Sequence, residues 1–232
     1  NNAQGEYYLT DIIAWGKKNS LNVNAYILEN SDEIYGINSR LNLAEATRIM
    51  NERKLHNLMV EGVTIVDPSS TWISEDTEIG ADTIIYPSTY IEGKNKIGKN
   101  CKIGPCAHLR GDVEIDDNCK IGNFVEVKKA KIGHNTNAGH LSYIGDSEFG
   151  SHINIGAGTI TANYDPISKK KSKTVLKDNV KIGSNTVLVA PVEIGEGTNV
   201  GAGSVITKNI GEWALAITRA PLRIIEGWVK NK

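Results

Sequence analysis

Aromatic residues are scarce in this sequence of 232 residues. Phe, Trp and Tyr together make up 6% of it, and only two residues are phenylalanine. Large aromatic side chains supply much of the buried area in most globular cores. A core rich in isoleucine and valine but poor in aromatics therefore favours narrow, stacked β-layers over helices packed on a sheet. Glycine, which permits tight corners, occurs 23 times.

Other absences narrow the function. Three cysteines, an odd number without metal-type spacing, argue against a disulfide framework and indicate a reducing, cytoplasmic environment. No apolar run approaches the roughly 18–20 residues of a membrane span, and no basic-then-apolar leader is present, so we expect no membrane insertion. The chain has 26 Lys and Arg against 27 Asp and Glu, a net charge of −1 that gives no overall field to attract nucleic acid.

An aliphatic residue recurs at every sixth position over the middle of the chain. The run has ten members without a slip: Ile73, Ile79, Ile85, Ile91, Ile97, Ile103, Leu109, Ile115, Ile121 and Val127. Glycine follows several of them, and a mostly small residue lies two positions before most of them: Thr77, Thr83, Thr89, Cys101, Ala107 and Cys119. Neither a helical period nor a simple alternation produces a strict six.

A triangular prism does produce this period, because three short strands and three corners make one coil of about 18 residues. The aliphatic residue points inward, the glycine after it serves the corner, and successive coils stack as parallel strands about 4.8 Å apart. Cys101 and Cys119, which are one coil apart, then share one inward ladder as small filler. The sequence therefore predicts a mostly β protein, a parallel β-helix of hexapeptide repeats. Its left hand is the known form of that fold and is not visible in the sequence.

The period is interrupted in the second half. It slips after Val127, resumes at Ile132 and again at Phe149, and returns from Ile182 to Ile206. Between these last stretches lies the Lys-rich segment 162–181, which we interpret as a loop extruded from one corner. Interruptions of a strict repeat are where function tends to lie.

The first 57 residues have a different pattern. They predict a short helix over 7–19, a strand over 21–28 and a helix of about five turns over 39–59. A segment of this length with one strand cannot form an independent α/β domain. We therefore expect a short α/β remnant of a larger domain with a connecting helix over 1–57, and the β-helix over 58–232. The helix can equally serve as a cap over the open first coil.

Several motifs together resemble one family. They are NNAQGEYYLTD, YGINSRLNL, NFVEVKKAKIG, NAGHLSYIGD, HINIGAGTITANYD, GSNTVLVAPVEIG and ALAITRAP. This set is similar to the bifunctional enzymes that join N-acetylglucosamine-1-phosphate uridyltransferase to glucosamine-1-phosphate N-acetyltransferase, within the hexapeptide acyltransferases. The resemblance implies acetyl transfer from acetyl-CoA to glucosamine 1-phosphate in UDP-N-acetylglucosamine synthesis for cell-envelope polymers. It also implies a homotrimer whose sites draw on neighbouring chains.

The resemblance also implies the site residues. His140 is the expected general base, with Asn163 and Ser184 as further catalytic residues that hold the amine or acetyl group and the oxyanion. The expected sugar-phosphate contacts are Arg110, Lys128, Tyr143, Asn154, Tyr164 and Lys169. Ser184, Ala202 and Arg219 are the expected acetyl-CoA contacts. Acetyl transfer in this family requires no metal.

Some features depart from the family pattern. The Gly-rich nucleotide-binding loop and Mg²⁺-binding Asp of the uridyltransferase are not found, and of that site only NNAQGEYYLTD and Asn38, which matches a metal contact, are present. We therefore expect no uridyl transfer by this chain. Gly111-Asp112 stands where Pro-Gly is common after Arg110, and the loop carries Pro166 and Ser168 where Gly and Asn are usual.

Three alternatives stay open on the sequence. One is a hexapeptide acyltransferase for another amino sugar or for serine, and another is a non-catalytic prism of the kind attached to sugar nucleotidyltransferases. The third is a γ-type carbonic anhydrase, which needs three histidines on Zn²⁺, whereas only His134 and His140 lie close in sequence. His56, His108, His134 and His152 are expected at the surface.

Overall fold

A computed structural model describes residues 5–6, 8–218 and 220–226. The chain divides into two compact units, Asn1–Ala46 and Thr47–Lys232. No helix within the described residues is long and apolar enough to cross a membrane.

The first unit is mostly helix and coil. It contains α1 (Asp11–Lys18), a 3₁₀ helix (Ser31–Ile34) and the start of α2 (Arg40–Val60), which continues into the second unit. Both predicted helices are confirmed. The predicted strand over 21–28 is wrong, because this segment has no ladder partner among the described residues and Tyr26 and Ile27 are exposed. A β-prone segment without a neighbouring strand gains no ladder hydrogen bonds.

The second unit consists of short strands, with one further 3₁₀ helix at Pro68–Ser70. In chain order the strands are β1 Thr64–Ile65, β2 Trp72–Ile73, β3 Thr77–Ile79, β4 Ile84–Ile85, β5 Tyr90–Glu92, β6 Asn95–Ile97, β7 Lys102–Ile103, β8 His108–Arg110, β9 Val113–Ile115, β10 Lys120–Asn123, β11 Glu126–Ile132, β12 Asn137–His140, β13 Tyr143–Phe149, β14 Asn154–Ile155, β15 Ile160–Ala162, β16 Thr174–Leu176, β17 Lys181–Ile182, β18 Val187–Val189, β19 Val192–Ile194, β20 Asn199–Val200, β21 Val205–Ile206 and β22 Leu215–Ala216.

Every pairing between these strands is parallel, and the strands form three faces. Face A is the nine-stranded sheet β1-β4-β7-β10-β12-β14-β17-β20-β22. Face B is the row β2-β5-β8-β11-β13-β15-β18-β21, and face C is the row β3-β6-β9-β11-β13-β16-β19. Faces B and C join because β11 and β13 run continuously around the corner between them. This is the parallel β-helix that the six-residue period predicts.

The predicted inward positions form the core. All ten aliphatic residues of the unbroken run are at most 8% exposed, and the small residues two positions before them are equally buried. Cys101 and Cys119 are fully buried free thiols in adjacent coils, as predicted. The hydrogen bond with Cys101 raises the pKa of Cys119, and burial, which opposes ionisation of a thiol, raises it further.

The slip in the repeat is a change in coil length. Ile103 pairs with Ile121, which is three full hexapeptides later, whereas Ile115 pairs with Ile132 in a coil that is one residue shorter. The missing residue is at the corner between faces B and C, where Lys129 and Asp146 adopt left-handed backbone with φ of 48° and 46°. The predicted loop leaves from this same corner, since β15 ends at Ala162 and β16 begins at Thr174.

The glycines that follow inward residues are required by close approach of the next coil. A Cβ on Gly98 would lie 2.7 Å from the Asp117 backbone nitrogen, and neither Gly98 nor Gly122 has a positive φ. Left-handed backbone at the corners is adopted by Gly104, with a φ of 93°, and by residues other than glycine such as Asn100 and Asn118. Asparagine tolerates this conformation better than most residues.

The outward side chains distinguish the faces. Along face C they alternate in charge, with Lys96 paired to Glu78 and Glu114, and Lys131 paired to Glu114 and Glu148 in the strand register. Lys131 Nζ lies 3.1 Å from Glu114 Oε2. Opposite charges on neighbouring strands stabilise a sheet that faces water. One outward row of face B is instead largely aromatic and aliphatic: Trp72, Tyr90, His108, Glu126, Tyr143, Ile160, Val187 and Val205.

Helix α2 closes the first coil. Leu55 and Leu58 are buried in the same core as the prism. The side-chain amide of Asn51 accepts a hydrogen bond from the Ile73 backbone N–H at 3.1 Å and donates to the Thr71 carbonyl at 2.9 Å. The Asn51 amide thereby takes the place of a peptide group from a preceding strand. It satisfies backbone hydrogen-bonding groups at the open edge of β2.

Asn51→Ala is therefore expected to lower the free energy of unfolding by about 1–3 kcal/mol, because two partly buried backbone groups lose their partner. Chemical denaturation followed by circular dichroism measures this loss. The matched control is Asn57→Ala, since Asn57 is an exposed asparagine on the same helix. Equal midpoints for the two variants would contradict the capping role.

Candidate active site

One row of residues runs along the corner between faces A and B. Five inward residues pair in consecutive coils, and the residues two positions further on form the row; the inward residues are Ile121, Ala138, Ile155, Ile182 and Val200. Its members are Asn123, His140, Ala157, Ser184 and Ala202. His140 and Ser184 lie two coils apart, which is about 10 Å along the prism. The structure therefore brings three of the predicted residues onto one edge.

His140 ends β12 with its side chain exposed. Its carbonyl oxygen accepts a hydrogen bond from the Ser142 hydroxyl at 2.8 Å, and Leu141 turns the corner with a φ of 47°. Within the described residues the imidazole has no hydrogen-bond partner. A fixed backbone with a free ring leaves both nitrogens accessible to a ligand.

Two cations lie side by side on face B. Arg110 pairs in register with Glu92, and Lys128 occupies the equivalent position one coil further on, beside Gly145. Arg110 Nη1 donates to Glu126 Oε1 at 2.7 Å, and Arg110 Nε lies 3.8 Å from Glu92 Oε1. The hydrogen bond to Glu126 raises the pKa of Arg110. A guanidinium beside an ammonium is suited to a phosphate group.

Tyr143 and Asn163 meet next to these cations. Asn163 is buried, and its Nδ2 donates to Asp146 and lies 3.4 Å from the Tyr143 hydroxyl. Gly145 lies directly beneath them, because a Cβ there would be 2.8 Å from Asn163 Nδ2 and 2.7 Å from Tyr143 Cζ. The absence of a side chain at this position makes room for both groups.

The extruded loop is a short, ordered hairpin. Tyr164 forms an antiparallel bridge with Lys171, and the Ser172 N–H donates to the Asn163 carbonyl at 2.9 Å. Lys169 lies at the exposed tip with a φ of 57°. Hydrogen bonds from Ser168 and from the Ile167 N–H lower the pKa of Asp165 and hold the tip in a turn. Ser168, which departs from the family pattern, thus has a local structural role.

Other predicted site residues lie away from the corner row and from the cations of face B. Asn154 points outward from face A, between Asn137 and Lys181 in register. Asn38 belongs to the first unit, where its backbone N–H donates to Asn42 Oδ1 at 3.3 Å. Arg219 lies outside the described residues.

The histidines do not assemble as a zinc site in the described part of the chain. His134 and His140 lie on either side of face A, at different corners. His134 Nδ1 is 2.9 Å from the Ser151 hydroxyl, and its ring is 5.1 Å from that of His152. Among the described residues no group of three His, Cys, Asp or Glu side chains is placed to hold a metal ion.

The sequence analysis did not identify three carboxylates that lie next to the predicted site residues: Glu92, Glu126 and Asp146. The first two could have been found from the sequence, because the six-residue period fixes which residues of adjacent coils lie opposite each other. Glu92 lies opposite Arg110, and Glu126 lies opposite His108, next to Arg110 on the same face. For Asp146 the only signal in the sequence is the shortened spacing between the inward residues of its own coil.

Comparison with known proteins shows to which family the chain belongs. The family Bacterial transferase hexapeptide (six repeats) matches residues 96–129 and 173–208. The bifunctional protein GlmU of Thermodesulfovibrio yellowstonii is 47% identical over 266 residues, covering 100% of this chain and 58% of that protein. GlmU of Acetivibrio thermocellus is 44% identical over 265 residues, with 100% and 57% coverage. The solved structure of AntD, an N-acyltransferase from Bacillus cereus, is 21% identical with a TM-score of 0.32 over 74% of this chain and 87% of that one.

The similarity to the GlmU proteins extends over the whole of this chain, well beyond the repeats themselves. The chain spans somewhat more than half the length of these curated relatives. With its hexapeptide repeats and its similarity over all 232 residues, the chain belongs to the family of the bifunctional GlmU proteins.

Proposed function

We propose that this chain transfers the acetyl group of acetyl-CoA to the amine of glucosamine 1-phosphate. The product is N-acetylglucosamine 1-phosphate, an intermediate of UDP-N-acetylglucosamine synthesis for cell-envelope polymers. The observation that carries the proposal is the arrangement across face B: a free imidazole at one corner, two cations and a Tyr–Asn pair beside them. In this proposal residues 58–232 carry the reaction, and 1–57 is the remnant of a nucleotidyltransferase domain with its linker helix.

His140 is proposed as the general base. Imidazole is the side chain suited to proton transfer at neutral pH. As the amine nitrogen attacks the thioester carbonyl, His140 takes its proton, the C–S bond breaks and the CoA sulfur leaves and is protonated. Ser184, on the same corner row, donates to the oxyanion of the tetrahedral intermediate. The reaction requires no metal, and Asn38 would contact Mg²⁺ only in a uridyltransferase site.

The cations are proposed to hold the sugar phosphate. Arg110 and Lys128 are adjacent on face B, and a phosphate would replace Glu126 as the partner of Arg110. Tyr143, Asn163 and Tyr164 would contact the sugar, Lys169 would reach in from the loop tip, and Asn154 would contribute from the face A of a neighbouring chain. Acetyl-CoA would lie along the row of Ser184 and Ala202, with Arg219 on its phosphates.

A homotrimer is proposed because one outward row of face B is largely aromatic and aliphatic. Tyr90, Ile160 and Val205 are each more than 40% exposed in the single chain. Ile160 and Val205 lie at the same end of the row, with Val187 between them, and exposed apolar patches mark interaction surfaces. Packing face B against a neighbouring prism would cover this row and bring His140 beside residues of the second chain.

His140→Ala is expected to lower the rate of CoA thiol release by at least ~100-fold, the low end for a positioned base. The assay uses acetyl-CoA with glucosamine 1-phosphate as acceptor, and unphosphorylated glucosamine tests the need for the phosphate. His134→Ala, which changes an exposed histidine at another corner, is the matched control. A His140→Ala rate equal to that of the wild type would exclude the proposed base.

Gly145→Ala is expected to preserve the fold and to lower kcat/KM about 10–100-fold, because the new methyl group displaces Tyr143 and Asn163. Both can move, since the affected atoms are the ends of side chains. The control is Gly211→Ala, where a Cβ meets nothing within 4 Å. Wild-type kinetics in Gly145→Ala would contradict the proposal that Tyr143 and Asn163 contact the sugar.

Mixing His140→Ala chains with Arg219→Ala chains is expected to restore activity that neither variant has alone. Shared sites in a mixed trimer would include some with both residues intact. Subunit exchange is confirmed by mass spectrometry of differently tagged chains. No recovery in exchanged trimers would show that each site belongs to one chain.

A further inference from the structure

Asp146 lies where the extruded loop leaves the prism, and the proposed reaction does not use it directly. Its carboxylate accepts a hydrogen bond from Asn163 Nδ2, and Lys171 Nζ lies 3.9 Å from its Oδ2. Asn163 stands at the start of the loop and Lys171 near its end, so one carboxylate contacts both stems. The Asp146 side chain is 19% exposed.

The backbone explains why the carboxylate reaches the loop. Asp146 occupies the corner that is one residue shorter than in the earlier coils, and its φ is 46°. In the next coil the same corner is replaced by residues 163–173. Asp146 is therefore the last corner residue before the loop, directly beneath its two stems.

The contact fixes the direction of the Asn163 amide. The Asp146 carboxylate oxygen is the acceptor of this hydrogen bond, so Asn163 presents its NH₂ group to Asp146 and turns its carbonyl oxygen away. In the described residues Asn163 Oδ1 accepts no hydrogen bond. The Tyr143 hydroxyl also faces the NH₂ group, at 3.4 Å, and its own proton stays available. The pair thus offers one acceptor, Asn163 Oδ1, and one donor, the Tyr143 hydroxyl.

We propose that Asp146 is a positioning residue that orients Asn163 so that its carbonyl oxygen accepts an N–H of the acceptor amine. This rests on the proposed function. Such a contact would direct the nitrogen lone pair toward the thioester, while Tyr143 donates to a sugar or phosphate oxygen. Asp146 touches neither substrate, and it acts through Asn163.

The test separates orientation from simple fastening of the loop. In Asp146→Asn the Asn163 amide can turn over, present NH₂ to the substrate and lose the acceptor. In the double variant Asp146→Asn with Asn163→Asp, the hydrogen bond is restored with reversed polarity and position 163 again offers an acceptor. In Asn163→Asp alone, two carboxylates face each other.

Kinetics with acetyl-CoA and glucosamine 1-phosphate are expected to show kcat/KM lowered about 10–100-fold in Asp146→Asn, the range for loss of a hydrogen bond to a charged group. The decrease should lie mainly in kcat. The double variant should recover at least about tenfold over Asp146→Asn, a coupling that only interacting positions show. Glu148→Gln is the matched control: Glu148 pairs with Lys173 beside the same loop stem but on face C. It should keep the wild-type rate.

A second readout does not depend on activity. The loop carries Lys169, Lys170 and Lys171, so the rate of tryptic cleavage reports how firmly it is held. Asp146→Ala should speed cleavage and Glu148→Gln should not. An active wild type with unchanged Asp146→Asn kinetics, or with no recovery in the double variant, would overturn the positioning role while the proposed function stands. An inactive wild type would reject the proposed function, and unchanged cleavage in Asp146→Ala would then also overturn the fastening of the loop.

Discussion

Register between stacked coils governs every other feature of this protein. Each inward residue must lie over its equivalent in the coil before, because the parallel backbone hydrogen bonds permit no sliding without exposing the core row. Ala138 therefore pairs with Ile155, and Ile155 with Ile182, although the coil that contains the loop is much longer in sequence. The extra residues of the longer coil are confined to one corner. Residues far apart in sequence, such as His140 and Ser184, are aligned by this constraint alone.

The same register divides the three faces by chemistry. Face C interleaves lysine and glutamate, so its outward charges are paired within the chain and it is suited to water. Face B carries an apolar row next to charged and hydroxyl groups, a combination that gains from a partner or ligand. Both arrangements arise from identical backbone, so outward side chains decide the use of each face. The core residues therefore do not indicate a function, whereas the outward rows of side chains do.

The sequence alone predicts much of this, and for a physical reason. A strict period of six predicts the parallel β-helix. It also correctly predicts the core residues, the stacking of Cys101 on Cys119 and the position of the loop at one corner. The prediction of a strand over 21–28 was wrong because composition can show β propensity but not whether a neighbouring strand exists. Asp146 was missed because its importance depends on a side-chain contact with Asn163, and the spacing only indicates that the corner is shorter there. Likewise, the sequence does not show that Asn51 replaces a strand.

In a regular prism each coil repeats the backbone of the last. Departures from the repeat therefore distinguish one part of the surface from the rest. In this chain the departures coincide: the shortened corner at Asp146, the loop over 163–173 and the bare backbone of Gly145 adjoin Arg110 and Lys128. A whole coil can be added to or removed from such a stack without changing the register of the rest. Loss of a single residue within a coil cannot be absorbed in that way except at a corner. The corner that absorbed one, between faces B and C, carries Asp146 and the loop, and it lies across face B from the corner that carries His140.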